Sequence, residues 1–448
     1  MKRTLTVALV SLLVTAVARA EEIAKLKTFY FGNSFLENTM VGFHPVLGKS
    51  ASKTWEVDAL IHPGVPIWVH AVRQTEPESR NYIKFHEEGP DTDAIVMLQF
   101  AGQGLKYVAP EMWGKMTFDP PRDVGDLASC IALINTFLEM NPKGRAYVYT
   151  AWPNGDELRE FRDRVKKEVE LSLRERDEDR GKLMKKVVTA AVKERMSEEV
   201  EPVLEQTDFE ALWLAEDYVA DCTPYEVRRR FGKYAGCIGR NSRDEAWKPT
   251  LEALAEAAET TPDQVKEDLA MVGLTIEKLR TVDDPKEEIR QFCGGWPHTH
   301  SRPHNYALLE GLKKEFPGLW KENRLGMIPV GDVMLALHKK IREGAMPPLK
   351  SVSQFSEGHM RSGLPRYMLG ATFYAVLFRD HPKNLSADIY AKRDNYIKDM
   401  NGLNKPAGGF YVHVPDLGRH IEITPERKRI MDDTIWEVVK GHPYTGVR

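Results

Sequence analysis

The most informative segment of the chain is Lys27–Asn38, which reads KTFYFGNSFLEN. An aromatic run ends at Gly32, and Ser34 follows two residues later. Gly, Asn and Ser are common turn residues, so one interpretation is a buried strand that ends in an ordinary turn. The other is a reactive serine beyond the carboxyl end of a strand, where α/β sheets carry their reactive groups. Under that interpretation Gly32 allows the tight turn.

Apolar segments of strand length alternate with helical patterns up to about residue 153. The strand candidates are Thr28–Phe31, Thr54–Ile61, Ala94–Gln99 and Arg145–Trp152. The third candidate is almost continuously apolar, which is typical of a strand that is buried on both faces. Asp126–Met140 has helical spacing and precedes the fourth strand. Strands separated by helices predict the α/β class, with a parallel sheet and crossover helices.

The same pattern returns after about residue 303. Residues 324–332, RLGMIPVGD, predict a strand that ends at Gly331, and DVMLALHKKIREG predicts the helix that follows it. Residues 363–380, GLPRYMLGATFYAVLFRD, predict a last long helix, because Tyr367, Ala371 and Tyr374 share one helical face.

A charged segment separates the two α/β parts. Residues 157–196 place apolar side chains at three- and four-residue steps on a charged background, which is typical of long solvent-facing helices. We therefore divide the chain into a signal peptide (1–20), a discontinuous α/β core (21–153 and 303–448) and a charged helical insertion (154–302). The insertion is a candidate contact surface for a partner protein, and a solvated face is the default interpretation.

Residues 1–20 have the pattern of an export signal. Lys2 and Arg3 form the basic start, an apolar run follows, and Ala18-Arg19-Ala20 fits a cleavage site. The alternative is a retained anchor, but the apolar run is short for a membrane span. We expect a periplasmic or secreted protein without a membrane span in the mature chain. The formal net charge of the whole chain, −3, argues against a nucleic-acid partner.

The four cysteines do not form a C-x-x-C pair, which argues against a Cys-based zinc site. Export permits disulfides. Cys222 with Cys237 is a candidate bridge, and the sequence does not choose among the three full pairings of Cys130, Cys222, Cys237 and Cys293.

Three further segments carry groups that would complete a hydrolytic site around Ser34. IHPGVPIWVH places Gly64 just after the second strand, where a loop amide faces a developing oxyanion. MLQFAGQG places Gln99 at the end of the third strand, with Gln103 nearby, and offers a side-chain amide as another donor. FSEGHMRSG places His359 on a loop before the last long helix. A nucleophile and its base need to be close only in the fold.

With these residues in view, FYFGNSFLEN resembles the first block of the SGNH (GDSL-type) hydrolase superfamily, in the branch that has GNSF in place of GDSL. HPGVPIWVH, AIVMLQFAGQ and EGHMRSGLPRYMLGATFYAVLFRDHP fall where the second, third and fifth blocks of that family lie. The resemblance covers roughly residues 26–153 and 324–385. It implies a flavodoxin-like parallel sheet with helices on both faces, interrupted here by the helical insertion.

The resemblance also implies roles for the matching residues. Ser34 is the nucleophile, His359 is the base, and the backbone amides of Ser34 and Gly64 contribute to the oxyanion hole. The third block of the family usually has an Asn two residues after a Gly. This chain has Gln99-Phe100-Ala101 there, so Gln99 is a substitute donor, with Gln103 as the other candidate.

The fifth block departs from the family pattern at the acid. An Asp usually stands three residues before the His, and Ser356 occupies that position here. Glu357 is the nearest carboxylate and our candidate for the third catalytic residue; a backbone carbonyl or a distant acid such as Asp332 is the alternative. The acid fixes the His tautomer and stabilises the imidazolium, so its absence predicts a weak enzyme or none.

Residues 296–304, WPHTHSRPH, contain His298, His300 and His304. A metal site would use such imidazoles. The nearest carboxylates are not close in sequence, and Pro297 and Pro303 favour a polar loop near the mouth of the site. We therefore expect no metal and no cofactor.

Two functions of different classes follow. The first is an exported serine esterase whose substrate is a small-molecule or carbohydrate ester, for which the resemblance suggests acetyl groups on carbohydrate. The second is a non-catalytic protein that binds a glycan in the old cleft or a partner through the helical insertion. The missing acid favours the second, and the Ser34–His359 pair favours the first.

Overall fold

A computed structural model gives the fold of the chain. It describes residues 23–62, 65–98, 105, 108–109, 112–113, 116–117, 122–152, 209–210, 213–214, 225–241, 247–271, 273–290, 301–357, 359–392 and 420–447. The predicted signal peptide (1–20) and the charged stretch 157–196 lie outside these residues, as do Gly64 and Gln99.

Five parallel strands form the central sheet. They are β1 (Lys25–Gly32), β2 (Thr54–Ile61), β3 (Ala94–Leu98), β4 (Arg145–Tyr149) and β5 (Leu325–Ile328). Their order across the sheet is β2-β1-β3-β4-β5, and every neighbouring pair is parallel. This order is compatible with a flavodoxin-like fold. The predicted α/β class is confirmed.

Short antiparallel pairs lie outside the central sheet. Val108–Ala109 pairs with Arg122–Asp123, and Met112–Trp113 pairs with Met116–Thr117. In the carboxyl-terminal part of the chain, β6 (Ser356–Glu357) pairs with β7 (His359–Met360).

Helices connect the strands and make up much of the described chain outside the sheet. In chain order they are α1 (Ser34–Glu37), α2 (His44–Ser50), α3 (Ile67–Arg73), α4 (Arg80–Glu88), α5 (Asp126–Met140), α6 (Tyr225–Asn241), α7 (Leu251–Ala258), α8 (Pro262–Met271), α9 (Ile276–Thr281), α10 (Pro285–Arg290), α11 (Arg302–Glu315), α12 (Pro317–Lys321), α13 (Val330–Arg342), α14 (Leu364–Leu377), α15 (Asp388–Ala391) and α16 (Pro425–Gly441). Short 3-10 turns are Val41–Phe43, Val352–Phe355 and Pro382–Asn384.

Both faces of the sheet are covered by helices. Side chains of α3, α5 and α11 form one hydrophobic core with the sheet, and side chains of α1, α13, α14 and α16 form the other. In β3, Ile95 and Met97 belong to the first core, and Val96 and Leu98 belong to the second. This alternation follows from the two-residue period of a strand. It explains why β3 is buried along its whole length.

Helices α6 to α10 share a separate hydrophobic cluster that includes Phe231, Ile238 and Leu254. In that cluster the fully buried carboxylate of Asp268 accepts hydrogen bonds from Arg230 (2.6 Å) and from Tyr234 (2.8 Å). The cluster falls within the segment that the sequence assigns to the helical insertion; the boundaries of that insertion stay a prediction.

Cys130 and Cys237 are free thiols. The candidate bridge between Cys222 and Cys237 is therefore wrong, and Cys222 and Cys293 lie outside the described residues. The Cys237 side chain instead contacts the Ala253 carbonyl at 3.6 Å, inside the helical cluster. Among the described helices, none is long and apolar enough to cross a membrane.

Candidate functional site

Ser34 lies at the carboxyl end of β1, as the first residue of α1. Asn33 caps this helix: its Oδ1 accepts a hydrogen bond from the Phe35 amide (3.0 Å), and its Nδ2 donates to the Val65 carbonyl (3.3 Å). Asn33 is fully buried, whereas Ser34 is half-buried. The predicted position of the serine beyond the strand is therefore confirmed, and the same asparagine ties it to the loop that follows β2.

Gly32 is required for a reason different from the predicted one. Its φ is not among the positive values of the described glycines, so the turn does not need a left-handed residue. A Cβ at Gly32 would lie 3.0 Å from Leu36 and 3.1 Å from Leu98. The glycine therefore permits a close approach between β1, α1 and β3 rather than an unusual backbone conformation.

Two donors hold the carbonyl oxygen of Gly32. One is the backbone amide of His62 and the other is Nε2 of His70, each at 3.0 Å. Because a carbonyl only accepts, Nε2 of His70 carries the proton. Burial lowers the pKa of His70 to about 3, and it also lowers the pKa of His62, which stacks on His70 at 5.2 Å. A neutral histidine thus holds the turn that leads to Ser34.

His359 lies in β7, in the short antiparallel pair that precedes α14. Its half-buried ring contacts the ring of Phe35 with a centroid distance of 5.7 Å. Phe35 in turn contacts Trp152, which follows β4, at 5.1 Å. Phe35, which directly follows Ser34, is therefore in contact with His359, the predicted catalytic base for Ser34.

Asn38 joins the two elements more directly. Its side chain is fully buried; Nδ2 donates to the Ser34 carbonyl (2.6 Å), and Oδ1 accepts from the Met360 amide (2.8 Å). Asn38 and Met360 are 322 residues apart along the chain. Sequence reasoning missed Asn38, because an asparagine that ends a short helix is commonplace; its local signal is only the spacing of four residues from Ser34.

Two buried ionisable residues, Arg366 and Glu37, lie beside this bridge. Arg366 donates to the Met360 carbonyl (3.0 Å) and to the Met40 sulfur (3.0 Å). Burial raises the pKa of Glu37 to about 8, although the positive charge of Arg366 acts in the opposite direction. Glu37 is therefore mostly protonated at neutral pH, in the helical turn that starts with Ser34.

The candidate acids near His359 have different surroundings. Ser356 is buried, and its Oγ accepts a hydrogen bond from Trp152 Nε1 (3.4 Å). The Glu357 backbone pairs with His359 across the β6–β7 ladder, and its side chain lies outside the described residues.

Asp332, the more distant candidate acid, follows β5. Its carboxylate binds Arg302 (2.9 Å), Trp213 (3.3 Å) and His442 (3.2 Å). This carboxylate is therefore engaged in a cluster that ties α11, α13 and the end of α16 together, which is a role that sequence spacing did not indicate.

Five of the predicted site residues lie outside the described part of the chain, and one lies in a different element from the predicted one. Gly64, Gln99 and Gln103 lie outside the described residues, as do His298 and His300. His304, which the sequence placed in a polar loop, is instead fully buried in the first turn of α11 and bonds to Asp126 at 3.0 Å. Pro303 explains the difference, since proline is well accommodated in the first turn of a helix.

The fold also brings together a serine and a histidine that the sequence did not pair. Ser362 Oγ lies 3.1 Å from Nδ1 of His420. Ser362 is fully buried, its carbonyl accepts from the Ile421 amide (3.0 Å), and the Leu364 amide donates to the Ile421 carbonyl (2.9 Å). The two residues are 58 positions apart and share no local pattern, so only the fold reveals the pair.

Comparison with known proteins adds little to this geometry. No protein-family model matches the chain, and no curated protein matches it. A solved structure of a DUF4886 family protein from Bacteroides uniformis is similar with a TM-score of 0.37 and 10% sequence identity, over 93% of this chain and 95% of that one.

Proposed function

We propose that the protein is an exported serine esterase of the SGNH type, with Ser34 as nucleophile and His359 as general base. The observation that carries the proposal is the Asn38 bridge, which binds the Ser34 carbonyl and the Met360 amide with one buried side chain. The contact between the Phe35 and His359 rings supports the same pairing. A nucleophile after the first strand and a histidine before the last long helix also match the family resemblance.

The proposed reaction has two halves. Ser34 Oγ attacks the ester carbonyl while His359 takes its proton, and the alcohol leaves with that proton as the acyl-enzyme forms. Water then attacks the acyl-enzyme, His359 again takes the proton, and the acid is released as Ser34 is restored. The backbone amide of Ser34, with Gly64 and Gln99 as the predicted further donors, stabilises the oxyanion.

The acid that would orient His359 departs from the family pattern. Glu357 is the proposed third residue, and Ser356 occupies the position where the family carries its acid. In the serine proteases, loss of a functional triad acid lowers kcat by about 10⁴-fold. We therefore propose a slow esterase, with small esters or acetyl groups on carbohydrate as substrates.

The test is hydrolysis of a small chromogenic acetate ester and of an acetylated glycan by the mature chain. Ser34→Ala and His359→Ala are compared with Ser362→Ala and His420→Ala, which remove the second serine–histidine pair. Loss of turnover in the first two variants alone supports the proposal. Loss in the second two alone assigns the activity to the other pair.

The alternative class is a glycan- or protein-binding protein without turnover. Two results together favour this alternative. The folded wild-type chain hydrolyses neither substrate, and it binds the acetylated glycan without altering it. In that case the region around Ser34 is a binding surface rather than an active site.

A further inference from the structure

Asn38 uses both ends of its amide for two different elements. The Ser34 carbonyl can only accept a hydrogen bond, so it faces the Nδ2 of Asn38; the Met360 amide can only donate, so it faces Oδ1. The orientation of the amide is therefore determined by its partners. At 2.6 Å and 2.8 Å, both hydrogen bonds are shorter than the most common N–H···O distance of about 2.9–3.0 Å.

The main chain next to His359 is held from the other side as well. The Met360 amide binds Asn38, and the Met360 carbonyl binds Nε of Arg366 at 3.0 Å. Asn38, Met360 and Arg366 have side chains that are at most 1% exposed. Water therefore competes poorly for these hydrogen bonds, and breaking one leaves a buried polar group without its partner.

We propose that Asn38 is a positioning residue for the reaction: it sets the separation between Ser34 and His359 by tying their two backbone segments together. This inference rests on the proposed esterase function. Catalysis depends steeply on such placement, since a displacement of about 1 Å at reacting groups can lower the rate by about 10²-fold. Ser356 occupies the position where the family carries its acid, so we expect the backbone bridge to contribute strongly to the placement of the imidazole.

Substitutions at Asn38 separate the two halves of the bridge. Asn38→Asp keeps an oxygen for the Met360 amide and loses the donor to the Ser34 carbonyl, whereas Asn38→Ala loses both hydrogen bonds. Asn305→Ala is the matched control. Asn305 is also fully buried, and its Nδ2 donates to the carbonyl of the serine four residues before it, Ser301, at 2.8 Å.

The first measurement is kcat and KM for the acetate ester, with the thermal midpoint of each variant as a check on folding. We expect kcat to fall about 10²-fold in Asn38→Ala and less in Asn38→Asp, with KM changed by less than about 2-fold. Asn305→Ala is expected to keep kcat even where its thermal midpoint falls. Wild-type kcat in a folded Asn38→Ala variant, or an equal loss in Asn305→Ala, would overturn the inference.

The second measurement does not depend on turnover. The His359 ring is followed by NMR titration of histidine-labelled protein, with His359→Ala used to assign its signals. A changed pKa or chemical shift of His359 in Asn38→Ala, and not in Asn305→Ala, supports the positioning role even if the wild type hydrolyses no ester. Unchanged His359 signals would count against the role, whatever the fate of the esterase proposal.

Discussion

Ser34 and Ser362 lie in different surroundings. Ser362 is fully buried, is hydrogen-bonded to His420 at 3.1 Å and is enclosed by backbone bonds to Ile421. Ser34 is half-buried at a strand end, and buried side chains hold the backbone around it. The hydrogen bonds around Ser362 satisfy its hydroxyl group and join two segments of the chain. Around Ser34, the hydrogen bonds of Asn38 and His70 fix the backbone, which is the placement that a reactive group needs.

The largest expected effect separates the two serines by activity. Ser34→Ala removes the proposed nucleophile and is expected to lower acetate ester hydrolysis by about 10³-fold or more. Ser362→Ala removes only a hydrogen bond to His420 and is expected to lower kcat by less than about 3-fold. Initial rates at saturating ester, corrected for folded protein, check both values. Equal activity of Ser34→Ala and wild type would show that Ser34 is not the nucleophile.

The two glycines near these serines are expected to differ in stability. Gly363 has φ of 85°, and a Cβ there would overlap the Ile421 carbonyl, so Gly363→Ala is expected to cost about 3 kcal/mol. Gly32→Ala meets Leu36 and Leu98 at 3.0–3.1 Å and is expected to cost about 2 kcal/mol.

The same two glycine substitutions are also expected to differ in their effect on kcat. Gly32→Ala pushes on the turn before Ser34, so kcat should fall in the remaining folded protein, whereas Gly363→Ala should not lower kcat per folded molecule. Denaturant unfolding measures the first quantity, and ester hydrolysis at low temperature measures the second. A larger loss of kcat in Gly363→Ala would reverse the assignment of the two regions.

His70 makes the turn before Ser34 sensitive to acid. Its pKa is about 3 in the folded chain and near 6.5 when unfolded, so the unfolded state binds more protons between these values. Stability from this group is therefore complete above pH 6.5 and is lost as the pH falls toward 3, by up to about 1.4 kcal/mol per pH unit.

His70→Gln checks this sign, since glutamine offers a donor for the Gly32 carbonyl and does not titrate. Denaturant midpoints at pH 4, 5 and 7 should fall less steeply toward acid in the variant than in the wild type. Parallel curves would mean that His70 already titrates normally in the folded chain.

Glu37 gives a pH dependence of the opposite sign to that of His70. Its pKa is raised to about 8 from an ordinary value of 4.5, so the folded state binds the extra proton between these values. Stability from this group is highest below pH 4.5 and declines as the pH rises toward 8. With these two pKa values, the stability from Glu37 is expected to fall by about 3 kcal/mol between pH 5 and pH 8.

Glu37→Gln removes that titration. The stability of the variant relative to wild type should rise from pH 5 to pH 8, as measured by denaturant unfolding in buffers of equal ionic strength. A pH-independent difference would show that Glu37 is already ionised beside Arg366.

Local patterns identified most of the α/β framework. The second strand and the helix at Asp126–Met140 have the predicted bounds, and the other strands differ from their predicted ends by at most a few residues. Buried strands and amphipathic helices are recognisable because the burial of each residue follows the period of its own element. The β6–β7 pair was missed, since two-residue strands have too few positions to show a period.

The sequence alone determined the α/β alternation, the placement of Ser34 after the first strand and the candidacy of His359, because each depends on neighbours within a few residues. Tertiary structure decided the rest. It placed the Asn38 side chain against the Met360 amide, and it left room only for a glycine at position 32. It also buried His304 against Asp126 and brought Ser362 within hydrogen-bond distance of His420. These contacts join residues that share no local period, so the physical information for them exists only once the helices have packed on the sheet.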